Sequence, residues 1–264
     1  MTQALPESPA IEPATGRHAG LSTQESRFWA LIPCAGRGTR AGLDLPKQYH
    51  PLAGRALVLH TLAAFAMVTR LSQTLVLLAP TDDVFKGLEQ NHTPACSAVA
   101  CGAATRAGTV ANGLSALRAR GAQDHDWVLV HDAARCLITP ALIERLIGAC
   151  VGDVVGGLLA VPVSDTVKLA SGERVAHTVD RSVHWLAQTP QMFRLGDLAR
   201  ALAAAGDSVT DESSAIEAIG LSPRLVEGDR ANFKVTMAQD FAMAEAILQA
   251  RAAHANQDLQ HERL

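Results

Sequence analysis

The sequence lacks several features that would assign it to a common class of protein. Its 264 residues carry 23 Lys and Arg against 26 Asp and Glu, a net charge of −3, so no broad basic surface points to nucleic acid. Its longest apolar stretches, 56–68 and 154–163, are too short or too interrupted to span a bilayer. No Gly-x-Ser-x-Gly elbow marks a serine as a nucleophile. These absences favour small substrates.

Paired cysteines and an export signal are also missing. The five cysteines, at positions 34, 96, 101, 136 and 150, are odd in number and show neither Cys-x-x-Cys nor zinc-ligand spacing. We expect reduced thiols and a cytoplasmic protein. Residues 1–26 are rich in Pro, Ser, Thr, Ala and Glu and lack the basic start and apolar core of a signal peptide. We expect them to form a disordered tail.

From residue 28 onward, short apolar runs alternate with longer amphipathic ones, which is typical of βαβ units. The runs predict strands over 28–33, 74–79, 97–101, 127–131 and 154–161, buried on both faces of a mostly parallel sheet. They predict helices over 57–67, 105–119 and 140–149. A capping box from Thr236 to Gln239 predicts a last helix ending near residue 252. We therefore expect one α/β domain over 27–252 and a C-terminal tail over 253–264.

Residues 162–193 interrupt this alternation. They carry Pro162, Gly172, Pro190 and β-favouring segments, but no helical stripe. The pattern predicts an extended arm or hairpin inserted after the fifth strand. Its edges are covered either by a second copy of the chain or by its own domain, and the pattern favours neither.

The segment LIPCAGRGTR at 31–40 leads an apolar strand into a glycine loop, and PKQ follows at 46–48. Glycines let the main chain approach an anion, and Arg40 and Lys47 place positive charge just beyond the loop. The pattern predicts a polyphosphate site. The alternative is a tight turn followed by two solvated cations.

Two common phosphate-binding loops do not fit this segment. The GRGTRA run at 36–41 matches the dinucleotide fingerprint, but Pro46 interrupts the helix that should follow. The next predicted strand also ends in Pro80 rather than in the acidic residue that binds the ribose. A Walker loop is excluded because Lys47 is followed by Gln rather than by Ser or Thr.

Polar residues follow several of the predicted strands, where open parallel sheets bind ligands. They lie at 40 and 47, at 102–109, at 131–135, and farther along the chain at 165–166, 180–181, 210–212 and 232–234. Taken singly, Asp132 could cap a turn, Thr109 could be a helix-surface hydroxyl, and Lys234 could be solvated. His131 is more typical of a satisfied strand-end histidine than of a metal ligand.

Taken together, these segments resemble one family. The runs are AGRGTR at 35–40, PKQY at 46–49, VHDAAR at 130–135, VPVSDT at 161–166, HTVDR at 177–181, QTPQ at 188–191, TDE at 210–212, and VEG at 226–228 with NFKVT at 232–236. They are similar, in the same order, to 2-C-methyl-D-erythritol 4-phosphate cytidylyltransferases over about residues 28–250. The resemblance implies a Rossmann-like nucleotidyltransferase fold and a homodimer joined through the arm. It also implies Mg²⁺-dependent transfer of a cytidylyl group from CTP to methylerythritol phosphate, with release of pyrophosphate.

The resemblance also implies roles for particular residues. The catalytic residues would be Arg40 and Lys47 on the CTP phosphates, with Lys234 and Arg181 on the sugar phosphate. Nucleotide binding would fall to Cys34, Ala35, Gly36, Gly38, Gly102, Ala103, Arg106 and Thr109. Substrate binding would fall to Asp132, Arg135, Thr166, Thr189 and Thr210, with Thr166 and Arg181 reaching in from a partner subunit. The magnesium ion would be held mainly by the CTP phosphates, with Asp132 as a further ligand to consider.

Three positions depart from the family pattern. Ala103 stands where a second glycine is common, Thr109 where serine is frequent, and Cys136 where proline often follows the Asp-Ala-Ala-Arg run. The first two changes each add a methyl beside the expected base pocket. We expect retuned nucleotide binding rather than its loss.

Other functions stay open on the sequence alone. A ribitol 5-phosphate cytidylyltransferase would share the loop, the metal and the dimer. A catalytically silent nucleotide-binding dimer would not need Arg40, Lys47 and Lys234, and a dehydrogenase conflicts with the loop. Some relatives carry a second enzyme of the same pathway, and the few residues after the last predicted helix lead us to expect none here.

Overall fold

A mixed seven-stranded sheet forms the centre of the part of the chain that the structure describes. The computed structural model describes residues 26–36, 45–88, 96–206 and 209–261. The expected disordered tail therefore lies outside the described residues, except for Ser26.

The strands and helices are as follows. The strands are β1 (Phe28–Pro33), β2 (Pro51–Leu52), β3 (Arg55–Ala56), β4 (Leu71–Leu78), β5 (Cys96–Ala100), β6 (Trp127–Val130), β7 (Gly156–Pro162), β8 (Val167–Ser171), β9 (Arg174–Val179), β10 (Trp185–Arg194) and β11 (Arg224–Glu227). The helices are α1 (Leu57–Ala66), α2 (Val84–Leu88), α3 (Arg106–Arg118), α4 (Pro140–Cys150), α5 (Leu195–Ala205), α6 (Glu212–Ala218) and α7 (Ala238–His261). Short 3₁₀ turns occupy Lys47–Tyr49 and Arg181–Val183.

The sheet has the strand order β11-β7-β10-β6-β1-β4-β5. Strand β1 pairs in parallel with β4 and β6, β4 with β5, and β7 with β11, whereas β10 runs antiparallel between β6 and β7. The predicted α/β fold with a mostly parallel sheet is confirmed. Among the described residues, no helix combines the length and the apolar character needed to cross a membrane.

Helices pack against both faces of the sheet. Successive side chains of a strand point to opposite sides, so alternate residues of one strand enter different cores. In β1, Ala30 and Ile32 pack into a core that includes α1 and α4, while Trp29 and Leu31 pack into a second core with α3, α5 and α6. This explains why the strand reads as a continuous apolar run.

The predicted helices occur, and threonine side chains cap the starts of two of them. The Thr105 hydroxyl accepts a hydrogen bond from Gly108 N at the start of α3, and that of Thr139 accepts one from Leu142 N at the start of α4.

The expected capping box at the last helix is wrong. Asp240, not Gln239, accepts the N–H groups of Thr236 and Met237, at 2.7 and 2.8 Å. The helix also continues to His261, beyond the predicted end near residue 252 and through most of the expected tail. Neither Gly nor Pro interrupts that stretch, so nothing local ends the helix.

The inserted arm is shorter than predicted. Strands β8 and β9 form a two-stranded antiparallel hairpin, but β10, the last part of the predicted 162–193 arm, belongs to the central sheet. Pro190 made this segment look unlike a central strand. The β10 ladder with β7 is interrupted between Ala187 and Gln191, so the missing proline N–H breaks no regular pair. Strand β11 was not predicted. Its four residues, RLVE, are mostly exposed and do not form the continuous apolar run that marked the other strands.

A glycine at the start of β7 gives a test of this packing. Gly156 has a φ of +106°, and a Cβ there would collide with the main-chain oxygen of Met192 on β10. Gly156→Ala should lower the free energy of unfolding by about 2 kcal/mol or more, as overpacking and backbone strain combine. Urea denaturation measures the change.

Gly148→Ala is the matched control, because a Cβ at this position in α4 meets nothing within 4 Å. Alanine there should leave stability unchanged or raise it by up to about 1 kcal/mol. Equal effects of the two substitutions would contradict the close approach of β7 and β10.

Candidate active site

A cavity of about 480 Å³ opens beyond the carboxyl ends of β1, β5 and β6. Its walls are Pro33, Cys34, Ala35, Gly36, Lys47, Gln48, Ala103, Ala104, Thr105, Arg106, Thr109, Asp132, Ala133, Ala134 and Lys234. A smaller cavity of about 220 Å³ adjoins it, because Arg106, Asp132 and Lys234 line both. This is the edge where parallel sheets bind ligands, and the residues come from segments up to about 200 positions apart in the chain.

Gln48 fixes the course of the glycine loop after β1. Its side-chain amide is buried and donates to the carbonyl oxygens of Cys34 and Gly36, both at 2.9 Å. Because the N–H of a trans peptide points opposite to its C=O, the Ala35 N–H points away from Gln48. The loop is therefore held from one side.

Gly102 brings the loop after β5 against the first loop. Its N–H donates to Leu78 O at 2.8 Å, and a Cβ on it would lie 2.5 Å from the Ala35 Cβ. Only glycine allows this close approach.

The Thr109 hydroxyl shapes the same loop. It accepts from Ala103 N and donates to Thr105 O, both at 3.0 Å. Its proton is thus already used within the protein, and one oxygen lone pair remains for a ligand.

A chain of alternating charges crosses the floor of the site. Glu212 accepts two hydrogen bonds from Arg106, from Nη1 at 2.6 Å and Nη2 at 3.0 Å. Arg106 Nε donates to Asp132 Oδ1 at 2.9 Å, and Lys234 Nζ lies 2.7 Å from Asp132 Oδ2. Bidentate and charge-assisted pairs of this kind are strong and directional.

The acid in the middle of this chain is held ionised. Burial alone would raise the pKa of Asp132, but Arg106 and then Lys234 outweigh burial and keep that pKa well below its usual range. Burial lowers the pKa of Arg106, but Glu212 and Asp132 reverse that effect and raise it. Burial raises the pKa of Glu212 above its ordinary value, and Arg106 offsets only part of the rise.

Arg135 and Thr189 line the smaller cavity. Arg135 donates to the carbonyl oxygens of Asn232, at 2.8 Å, and Ala187, at 3.1 Å. The Thr189 hydroxyl accepts from Asp132 N at 3.1 Å and lies 3.1 Å from His131 Nδ1.

His131 is a structural histidine. Its Nε2 lies 3.2 Å from Arg135 O, which can only accept, so that nitrogen carries the proton and Nδ1 accepts from Thr189. Complete burial lowers the pKa of His131 to about 3, although Asp132 acts in the opposite direction. The interpretation of His131 as a satisfied strand-end residue agrees with these contacts. Among the described residues, no group of three or more His, Cys, Asp or Glu side chains could hold a metal.

Cys34 is not activated as a nucleophile. Burial raises the pKa of its thiol to about 12, and a hydrogen bond with Tyr49 offsets only part of this rise. A thiol with such a pKa stays protonated at neutral pH.

Comparison with known proteins places this geometry in a family. The model of the IspD family, 2-C-methyl-D-erythritol 4-phosphate cytidylyltransferase, matches residues 28–250. The chain belongs to this family. Its resemblance to the family, inferred from the motifs, is confirmed.

Comparisons with individual relatives also support membership of this family. A 2-C-methyl-D-erythritol 4-phosphate cytidylyltransferase of Burkholderia multivorans is 53% identical over 236 residues, covering 87% of this chain and 99% of that protein. A bifunctional IspD/IspF enzyme of Albidiferax ferrireducens is 57% identical over 94% of this chain, which spans 58% of that longer protein. A crystal structure of 4-diphosphocytidyl-2C-methyl-D-erythritol synthase matches with a TM-score of 0.76 and 38% identity, covering 86% of this chain and all of that one.

Most of the site residues expected from the IspD resemblance lie together. The larger cavity is lined by Cys34, Ala35, Gly36, Lys47, Ala103, Arg106, Thr109, Asp132 and Lys234, and the smaller one also by Arg135, Thr189 and Thr210. Gly102 does not line the larger cavity but packs closely against Ala35, which does. Gly38 and Arg40 lie outside the described residues.

Thr166 and Arg181 do not line either cavity. They flank the β8–β9 hairpin, and Arg181 donates to Ser164 O. Their assignment to the site stays a prediction.

Sequence reasoning missed two residues, Gln48 and Glu212. Both occur in motifs that carry the resemblance, PKQY and TDE, but neither received a role. Their polar side chains are nevertheless buried, which is unusual without a specific partner. Burial cannot be read from one short motif, so only their place in the IspD motifs could have marked them.

His131 yields a prediction about acid stability. The folded chain keeps His131 neutral down to a pH near 3, whereas an ordinary histidine titrates near 6.5, so the unfolded chain binds this proton first as the pH falls. The free energy of unfolding should therefore fall, by about 1.4 kcal/mol per pH unit from roughly pH 6 to pH 4, because of this residue.

His131→Asn removes the titrating group and offers an amide oxygen near the place of Nδ1. Urea unfolding at several pH values should show a shallower acid loss in this variant than in the wild-type chain. Identical pH dependence of the two proteins would contradict a buried neutral His131.

Proposed function

We propose that the chain transfers a cytidylyl group from CTP to 2-C-methyl-D-erythritol 4-phosphate, forming 4-diphosphocytidyl-2-C-methyl-D-erythritol and pyrophosphate. The observation that carries the proposal is the double cavity. Its larger part is bounded by two glycine-containing loops, its smaller part by Arg135, and Asp132 and Lys234 line both. A nucleotide and a sugar phosphate that must meet need two such adjoining compartments.

The chemistry requires no covalent intermediate on the protein. A phosphate oxygen of the sugar phosphate attacks the α-phosphorus of CTP, the bond from that phosphorus to the β-phosphate breaks, and pyrophosphate leaves. Several negative charges crowd together, so catalysis depends on position and on fixed positive charge. In this proposal Lys47 and Arg40 stabilise the triphosphate, and Lys234 holds the phosphate of the acceptor.

The nucleoside half of CTP binds in the larger cavity. Main chain of residues 34–36 and 102–103 approaches the base closely, because Gly102 and the Gln48 clamp keep the two loops together. The methyl groups of Ala103 and Thr109 line this half and set its selectivity.

The site suits a magnesium ion that arrives with the nucleotide. Among the described residues lining the larger cavity, Asp132 is the one carboxylate, and both of its oxygens already accept from cations. Mg²⁺ is commonly held by one or two carboxylates together with substrate phosphates and water. When bound, it would neutralise phosphate charge, with Asp132 as its protein partner.

We further propose a homodimer in which the hairpin of one subunit completes the site of the other. The hairpin region exposes Leu169, Val175 and Val183, of which Val183 is 74% exposed. Thr166 and Arg181 flank the hairpin and lie apart from their own cavities, as residues donated to a partner would. We also propose that the reaction takes place in the cytoplasm, where the five free cysteines would stay reduced.

Lys47→Ala should leave a folded protein but lower turnover by at least about a hundredfold, because removing one charge-stabilising donor commonly costs about 3 to 4 kcal/mol. A pyrophosphate-release assay with CTP and methylerythritol phosphate measures it, with ribitol 5-phosphate as the alternative acceptor. Lys86→Ala, at an exposed lysine on α2, is the control and should behave as the wild type. Near-normal turnover of the Lys47 variant would refute its role.

Arg181→Ala should weaken use of the sugar phosphate far more than binding of CTP. Mixing this variant with Lys47→Ala protein should restore part of the activity, because a mixed dimer has one site with both residues intact. Subunit exchange followed by the same assay tests this. Absence of rescue would count against a shared site.

A further inference from the structure

Glu212 is a buried acid that the mechanism above does not use. Its side chain is 0% exposed, and it lines neither of the two cavities. Both carboxylate oxygens nevertheless point to one partner, the guanidinium of Arg106. Burying a carboxylate lowers stability unless the carboxylate is paired. The buried Glu212 is paired with Arg106, a residue that lines both cavities.

The pairing orients Arg106. A guanidinium is planar and has five N–H donors in a rigid arrangement. Glu212 engages Nη1 and Nη2 on one edge, which leaves the Nε edge facing Asp132 Oδ1 at 2.9 Å. Arg106 therefore cannot turn its paired Nη edge toward the cavity without breaking two charge-assisted hydrogen bonds.

Asp132 transmits this orientation to the residue that faces the acceptor. Because Arg106 takes Oδ1, Asp132 Oδ2 is left for Lys234 Nζ, at 2.7 Å. Lys234 lies at the far end of the chain of charges from Glu212 and lines both cavities.

We propose that Glu212 is a positioning residue for the acceptor half of the site, acting through Arg106 and Asp132 on Lys234. It also occupies Nη donors of Arg106 that would otherwise be available to phosphate oxygens in the larger cavity. The inference rests on the proposed function for the identity of the two substrates.

The charge balance predicts an effect that a purely structural residue would not show. Glu212, Arg106, Asp132 and Lys234 together carry two negative and two positive charges. Neutralising Glu212 leaves one positive charge in excess beside the cavity, and Arg106 becomes free to pair with other anions. Polyphosphates should then bind as tightly as before, or more tightly, while productive use of the acceptor falls.

Glu212→Gln tests this with nearly constant shape. We expect kcat/KM for methylerythritol phosphate to fall by at least about tenfold, while the KM for CTP and the inhibition constant of pyrophosphate stay level or decrease. A KM for CTP that rises as much as the acceptor constant would overturn the proposal. Glu217→Gln, the same change at an exposed position on α6, is the control and should match the wild type.

A double-mutant cycle tests whether the effect passes through Arg106. In an Arg106→Gln background, adding Glu212→Gln should change kcat/KM for the acceptor by less than about threefold. Multiplicative losses from the two substitutions would show independent roles and would overturn the proposal.

Two further measurements cover the remaining outcomes. If Glu212→Gln does not fold, Glu212→Asp keeps the charge but shortens the reach to Arg106. This variant should lose at least about threefold in kcat/KM for the acceptor with an unchanged KM for CTP, and wild-type values would overturn the proposal.

The wild-type chain, assayed first, separates this test from that of the proposed function. Should it release no pyrophosphate, the function fails, and direct titration of CTP and methylerythritol phosphate into the wild-type and Glu212→Gln proteins still decides the role of Glu212 by the same selectivity.

Discussion

The ion pair between Arg106 and Asp132 is the contact on which the organisation of the site depends. Arg106 begins α3 and Asp132 follows β6, so the pair joins the loops of two strands that are not neighbours in the sheet. Lys234 and Glu212 attach to the two ends of the pair and bring in the segments before α7 and at the start of α6. Four separate parts of the chain are thus aligned by charge at the edge of one sheet. The two carboxylates of the network are shielded from water, since the Glu212 side chain is fully buried and that of Asp132 is 12% exposed, and this strengthens their attraction to the two cations.

The two cavities of the site are built differently. The larger cavity, proposed for the nucleotide, is bounded by two loops that Gly102 and the Gln48 clamp hold together. The smaller cavity, proposed for the acceptor, is lined by charged side chains that are held by other charged side chains. A methyl added to the larger cavity changes fit, whereas a charge removed from the smaller cavity changes the balance of the whole network. The departures from the IspD pattern at Ala103 and Thr109 fall in the larger cavity.

Much of the fold was predictable because its signals are local. The apolar run of β1, the Thr139-Pro140 start of α4 and the alternation of strands and helices all follow from periodicity and capping. Errors arose where a distant contact decides the structure. Strand β10 contains Pro190 and is exposed over its first residues, yet pairing with β6 and β7 places it in the central sheet. One error was local instead: the capping-box pattern pointed to Gln239, but it is Asp240 that accepts the N–H groups before α7.

The sequence by itself determined the family, the α/β class and most of the residues around the cavities, because each is written in short motifs whose order along the chain is directly visible. Only the tertiary structure decided how those residues are used. It showed the guanidinium of Arg106 bound to two carboxylates, the hydroxyl of Thr189 directed to His131 and Asp132, and a fully buried Glu212 behind them. The physical reason is that burial and pairing are properties of atoms brought together from distant segments, and no single motif contains both partners.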